Sequence, residues 1–142
     1  MFQSPRGNVD ILIGPPGVFA LDSKNLSGIV SVRHGVLKTR WHEDPDHGDE
    51  NKTLASHSRS SARELRAALH AHGVEVDVQP VIVLWAEFEQ RSILSKGVAW
   101  IDGKHLAAVL GRRLATLSQG SAAPVVAAFE SWLGSMRDRH CE

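Results

Sequence analysis

Three charged side chains stand inside otherwise apolar strand-like runs near the N-terminus. Asp10 lies in the run Asn8–Ile13, and Asp22 and Lys24 lie in the run Val18–Lys24. Residues i and i+2 of a strand share a face, so Asp22 and Lys24 point the same way. Charges in such surroundings are costly unless they are paired or bound to a metal. Two carboxylates and a lysine suit metal-assisted phosphodiester hydrolysis. Carboxylates are hard oxygen ligands that Mg²⁺ takes one or two at a time, while it keeps several waters. A metal so held polarises a phosphate and acidifies a bound water. A neighbouring ammonium can orient that water or stabilise the charge that develops. The simpler alternatives are an ion pair at the sheet rim for Asp22 and Lys24, and a turn-capping role at a strand start for Asp10.

The elements that must position these residues can be read from punctuation and period. Structure is expected to begin near residue 8. Gly14-Pro15-Pro16-Gly17 ends the first strand, since proline cannot join a ladder and glycine supplies unusual φ. Asn25-Leu26-Ser27-Gly28 reads as a second turn. Ile29–Arg33 and Val36–Trp41 then complete an antiparallel meander. Trp41–Lys52 is polar, acidic and interrupted by Pro and Gly, and reads as a loop. Thr53–His72 has helical period, with Leu54, Ser58, Ser61, Leu65, Ala68, Leu69 and His72 on one stripe and Gly73 as its stop. The continuous run Val81–Leu84 predicts a strand covered on both faces. Val98–Ile101 is a further strand, Lys104–Leu114 a helix, and Pro124–Arg139 a last helix capped by Ser118 or Ser121. The order is β-β-β-(β)-α-β-β-α-α. It predicts an α/β fold, a mixed sheet with an antiparallel meander and a right-handed α-β crossover.

Register decides whether the charges meet. A clean four-residue turn at Gly14–Gly17 would pair Ile13 with Val18 and turn Asp10 away from Asp22. A shared site needs an odd connection or a bulge that sets Ile13 opposite Phe19 and Asp10 opposite Asp22. One residue of slip flips every side chain. The odd connection is therefore expected, and Asp10 and Asp22 on opposite faces would defeat a shared site.

Length and composition set the outer bounds. The 142 residues predict a single domain over 1–142, with a core over about 8–115 and a C-terminal helix over 121–139. Lys and Arg number 16 against 16 Asp and Glu, so no global basic field drives nucleic-acid binding. A local ridge must supply it, and Arg59, Arg63 and Arg66 form one stripe on helix 53–72. The single cysteine, Cys141, excludes an internal disulfide framework and fits a reducing, cytoplasmic setting. The apolar runs are too short to span a bilayer, and no signal peptide is expected. The segment holding His42, Glu43, Asp44, Asp46, His47 and Asp49 matches no zinc spacing and reads as a solvated acidic loop. Trp85, Trp100 and Trp132 are expected to be buried or partly buried, and Trp41 to pack at the meander edge. Arg112 and Arg113 suit a helix C-terminus and need no further role.

The string Gly14-Pro15-Pro16-Gly17-Val18-Phe19, followed by Asp22-Ser23-Lys24-Asn25-Leu26-Ser27-Gly28, resembles the nuclease-related domain, NERD. That family lies within the PD-(D/E)xK nuclease superfamily, whose signature Asp10…Asp22-Ser23-Lys24 resembles. Val78-Gln79-Pro80-Val81-Ile82-Val83 is similar to a later strand of the family, and Val98–Ile101 with its Asp-Gly turn and helix resembles the family's tail. The resemblance covers about residues 8–115. It implies a restriction-endonuclease-like core and a Mg²⁺- or Mn²⁺-dependent nuclease acting on DNA. By carry-over it implies Asp10 and Asp22 as metal ligands, the Ser23 carbonyl as a further ligand and Lys24 as the catalytic lysine. It also implies a helix and a carboxylate upstream of Asp10, so the chain is expected to be N-terminally short for the family. Ser56, His57 and Ser58 stand where the family tends to carry a Gln or another polar residue. The alternative is a non-catalytic nuclease-fold module for nucleic-acid or protein binding, inactive or truncated.

Overall fold

The computed structural model describes residues 2–3, 9–14, 17–44 and 46–112. Its strands are β1 (Phe2–Gln3), β2 (Val9–Gly14), β3 (Gly17–Arg33), β4 (Val36–Arg40), β5 (Gly48–Asn51), β6 (Val78–Phe88), β7 (Ser92–Ser95) and β8 (Val98–Asp102). Helix α1 (Leu54–Ala71) connects β5 to β6. A 3₁₀ turn at Gly103–His105 leads into α2 (Leu106–Arg112). The described residues form one mixed sheet in the order β1-β2-β3-β6-β8-β7, with β4 on β3 and β5 on β4. β3, β6 and β8 run parallel, and the other pairings are antiparallel. The mixed α/β class with its meander and its crossover through α1 is as expected. The last helix and Trp132 lie outside the described residues.

α1 covers one face of the sheet. Its buried residues Leu54, Ala55, Ser58, Ala62, Leu65 and Leu69 recur at helical spacing. They meet Ile11 and Val18 at one end of the sheet, and Val30, Ile82, Leu84, Phe88 and Trp100 at the other. On the opposite face Phe19, Leu21, Val81, Val83, Ala99 and Ile101 pack with Leu106 and Val109 of α2. Val81–Leu84 is thus buried on both sides, which is why its sequence shows no alternation. The start of α1 is capped from outside. Asn51 Oδ1 accepts from the backbone N–H of Thr53 at 3.0 Å and of Leu54 at 3.2 Å.

Four features depart from the reading of the sequence. β1 precedes residue 8 and pairs with β2. β5 occupies the end of the expected acidic loop. It is polar and exposed at every position, so it carries no period to betray it. β7 adds an antiparallel edge to β8. The expected turn at Asn25–Gly28 does not break the chain: β3 runs through it, and only the pairing with β6 shifts, between Asn25 and Ile29. Gly28 makes this possible. Its φ is +92°, and a Cβ there would lie 2.3 Å from the Arg40 carbonyl oxygen.

Beyond the end of β6 a side chain continues the ladder. Gln90 Oε1 accepts from the Val32 N–H at 2.7 Å, and Gln90 Nε2 donates to the Val32 carbonyl at 2.9 Å. Val32 is buried, so Gln90→Ala orphans a donor and an acceptor together. The expected cost is about 1–3 kcal/mol, read as a lowered urea midpoint with an unchanged m-value. A midpoint equal to wild type would show that water replaces the amide without loss.

Candidate functional site

Asp22 and Lys24 sit where β3 loses a neighbour. On one side β3 pairs with β6 without interruption from Val18 to Asn25. On the other, β2 accompanies it only as far as Asp22, and β4 joins at Ile29. Among the described residues no strand flanks β3 on that side between Ser23 and Gly28. The gap lies level with the carboxyl end of β8, where Leu84 pairs with Asp102, while β3 and β6 run on beyond it.

The pair itself is close but loosely coupled. Lys24 Nζ lies 3.7 Å from Asp22 Oδ1, an ion-pair distance too long for a good hydrogen bond. Asp22 is only 9% exposed, and its Oδ1 is buried with no hydrogen-bond partner among the described residues. Burial pushes the Asp22 carboxyl above the usual carboxylate range, while the charge of Lys24, and then that of His57, pulls it back. His57 stands in the first turn of α1, so the helix that covers this face also brings an imidazole toward the carboxylate. An unsatisfied buried carboxylate oxygen is rare, and it is the polar arrangement that a cation or a donor from a ligand would complete.

Asp10 is not part of this arrangement. The observed register pairs Ile13 with Val18, Asp10 with Leu21 and Val9 with Asp22. The connection is therefore the clean four-residue turn, and the expected odd connection is corrected. Directly opposed residues share a face, so Asp10 stands on the side of Leu21 and Phe19, away from Asp22 and Lys24. The physical reason lies in the turn: Gly14 pairs with Gly17, and every later pair follows from that closure. The three-residue site does not form in this register. What remains together is Asp22, Lys24, the Ser23 main chain between them and His57 nearby.

The expected arginine ridge is on α1 but looks elsewhere. Arg59 Nη1 donates to the Lys96 carbonyl at 2.6 Å, and Arg63 Nε donates to the Arg59 carbonyl at 3.5 Å. Arg66 Nη2 lies 3.4 Å from Asp77 Oδ1. At 3.6 residues per turn, these three fall on one flank of α1, where Arg59 meets the β7–β8 turn and Arg66 the segment before β6, and His57 falls on the other flank. The structure does not bring Arg59, Arg63 or Arg66 to Asp22. In the acidic segment, His42 Nε2 and Glu87 Oε2 are 2.6 Å apart, and His47 Nδ1 and Asp44 Oδ2 are 2.7 Å apart. Among the described residues no group of three or more His, Cys, Asp or Glu side chains stands ready for a metal ion.

Two features escaped the sequence reading. Trp85 was expected to be at least partly buried, yet it is 47% exposed. The apolar run before it gave no hint that the sheet stops being covered one residue after Leu84. Asp102 is buried and holds the turn that follows β8: its Oδ1 accepts from the Lys104 N–H at 3.2 Å, and its Oδ2 lies 3.3 Å from His105 Nδ1. The signal was present in Asp102-Gly103-Lys104-His105, where an aspartate precedes a short helix as an N-cap.

The parallel core, the hairpin feeding it and a carboxylate–lysine pair beside the gap along β3 define a mixed α/β domain with a nuclease-like core. The family model for the nuclease-related domain, NERD, matches residues 3–85, more than half of the chain, and the chain belongs to that family. Nothing among curated proteins or among solved structures matches the chain. Among the described residues no helix is long and apolar enough to cross a membrane.

Proposed function

We propose that the chain is a divalent-metal-dependent nuclease that hydrolyses DNA phosphodiester bonds at Asp22 and Lys24. The observation that carries this reading is the Asp22 carboxylate, buried with one oxygen lacking a hydrogen-bond partner, 3.7 Å from an ammonium. Membership of a nuclease-related family supports nucleic acid as the partner. The donor set fits Mg²⁺ or Mn²⁺ in type, since both prefer oxygen, and one carboxylate with waters and substrate phosphate oxygens suffices for Mg²⁺. Asp22, with the Ser23 carbonyl, would hold it. When bound, such an ion supplies Lewis-acid polarisation of the phosphate and a more acidic water.

The remaining work belongs to the chain itself. Lys24 is about one-third exposed at its side chain, so its ammonium can contact a phosphate oxygen without leaving the sheet. There it stabilises added negative charge and orients an attacking water. The cover of α1 keeps the Asp22 carboxylate poorly hydrated, which strengthens its hold on any cation it meets. Arg59, Arg63 and Arg66 would serve as a remote phosphate ridge across α1 from the reacting bond.

Plasmid nicking in Mg²⁺ and in Mn²⁺ tests this. Lys24→Ala is expected to lose about 10²- to 10³-fold in rate, while Asp10→Ala stays within about threefold of wild type, the margin of a site it does not touch. If Asp10→Ala were as inactive as Lys24→Ala, the working enzyme would use the slipped register. A second reading, a nuclease-fold module that binds without cutting, is favoured by the placement of Asp10 on the other face. DNA binding that persists with no cleavage in either metal would establish it and overturn the first.

A further inference from the structure

Trp85 directly follows the buried run Val81–Leu84 of β6. Leu84, before it, pairs with Lys24 on one side and Asp102 on the other, and points into the core under α1. Trp85 therefore projects from the opposite face, one residue past the end of β8, with Asn25 as its partner on β3. Among the described residues, α2 packs on that face with the cluster of Phe19, Leu21, Val81, Val83, Ala99 and Ile101. Beyond it, Ser23, Asn25 and Trp85 are exposed.

The indole is nevertheless not a loose side chain. Gly103 lies against it, and a Cβ at Gly103 would fall 2.4 Å from Cε3, 2.5 Å from Cδ2 and 2.6 Å from Cζ3 of Trp85. Three ring atoms at nearly equal distance mean that the ring lies flat over the Gly103 Cα. One face of the indole is thus seated on backbone, and 47% of the residue remains open to solvent. A seated aromatic loses little side-chain entropy when a second ring stacks on its free face.

We propose that Trp85, seated on Gly103, is a stacking platform for an unpaired nucleobase, with Asn25 beside it as a donor and acceptor for the base edge. This rests on the reading of Asp22 and Lys24 as a nucleic-acid site. Lys24 adjoins Asn25 in sequence but faces the other way, so a strand held by both must cross the edge of the sheet. A single strand can make that crossing, whereas a stacked duplex cannot present a base to the indole. The charges nearby favour stacking over phosphate capture. Glu87, two residues on along the same face, is matched by His42 at 2.6 Å, and Glu89 by Arg40 at 2.6 Å. Lys104 follows the seat itself. With no excess of positive charge, affinity should depend weakly on salt.

The experiment is binding of a fluorescein-labelled oligo(dT) in EDTA, followed by anisotropy, with the full chain carrying Asp22→Asn so that no cleavage intervenes. Trp85→Leu is expected to weaken binding by about tenfold or more, within the range for loss of one stacked base, and Trp85→Phe to restore most of it. Gly103→Ala keeps every ligand group but unseats the ring, and is expected to weaken oligo(dT) as Trp85→Leu does. Its thermal melt guards against misfolding. Binding of a blunt duplex should change by less than about threefold in all three variants. Equal oligo(dT) affinity for Trp85→Leu and the parent, or equal losses on single strand and duplex, would overturn the platform. Neither result depends on cleavage, so the platform can fail while hydrolysis at Asp22 and Lys24 stands, and the reverse.

Discussion

Asp22→Asn is expected to abolish metal-dependent cleavage, by about a hundredfold or more, and at the same time to raise the melting temperature at pH 7. The two effects share one cause. A carboxylate that is 9% exposed, with an oxygen lacking a hydrogen-bond partner, is ionised at a cost that Lys24 at 3.7 Å and the charge of His57 only partly offset. Its carboxyl therefore titrates above the usual carboxylate range. The folded chain then holds this proton more tightly than the unfolded chain does, so the linkage has a definite sign. Below the unfolded value the group is neutral in both states and imposes no charge burial. As pH rises from there through the raised folded value, stability is lost. Asparagine keeps the shape and removes the charge, so the variant should gain stability at pH 7 and lose that advantage near pH 3. For a chain of this length each kcal/mol gained appears as about 2–4 °C. Melting in metal-free buffer at the two pH values checks this. A variant that melts lower than wild type at pH 7 would mean that Asp22 is a structural ion pair with Lys24, and its claim to chemistry would weaken accordingly. Stability given up at one residue for function is a pattern that active sites show.

The reading of the sequence succeeded where period and punctuation agreed. The helix with its glycine stop, the doubly covered Val81–Leu84 and the strand at Val98 emerge as expected, while the buried stripe of α1 keeps Leu54, Ser58, Leu65 and Leu69 but takes in Ala55 and Ala62 in place of Ser61, Ala68 and His72. So does the pairing of Asp22 with Lys24 on one face, because i and i+2 allow nothing else within a strand. Asp10 was a different matter. Gly14-Pro15-Pro16-Gly17 is compatible with either parity of hairpin, and a single residue of loop length moves Asp10 through the sheet. Local sequence cannot decide that. The Gly14–Gly17 closure settles it, and it sends Ile11 and Ile13 to the α1 face with Val18. Asn25–Gly28 failed for a related reason. Its residues favour a turn, yet β6 supplies a partner on one side, and the strand continues with a shift of register where a free peptide would reverse. β5 shows no burial at all, and only its ladder to β4 makes it a strand.

The site also depends on side chains two strands away, and the largest stability effect is expected there. Trp100 is fully buried on β8. It is the cross-strand neighbour of Ile82, which is in turn the neighbour of Asp22. It packs in the cluster that joins α1 to β3, β4 and β6, and its Nε1 donates to the Ser95 carbonyl at 3.3 Å. Trp100→Ala leaves a cavity beneath the helix that brings His57 to the site, at a cost of about 3–5 kcal/mol. Domains of this size are stable by only about 5–15 kcal/mol, so the variant should unfold at a much lower urea concentration. Trp100→Phe keeps most of the ring volume but removes the hydrogen bond to the Ser95 carbonyl, and should lose about 0.5–1.5 kcal/mol. Denaturation followed by far-ultraviolet circular dichroism orders the three proteins. The phenylalanine variant is expected to fall between the other two, because packing and the hydrogen bond are separate contributions at this residue. If alanine cost no more than phenylalanine, the helix would not rest on Trp100, and the link from β8 through Ile82 to the Asp22 carboxylate would carry no mechanical support.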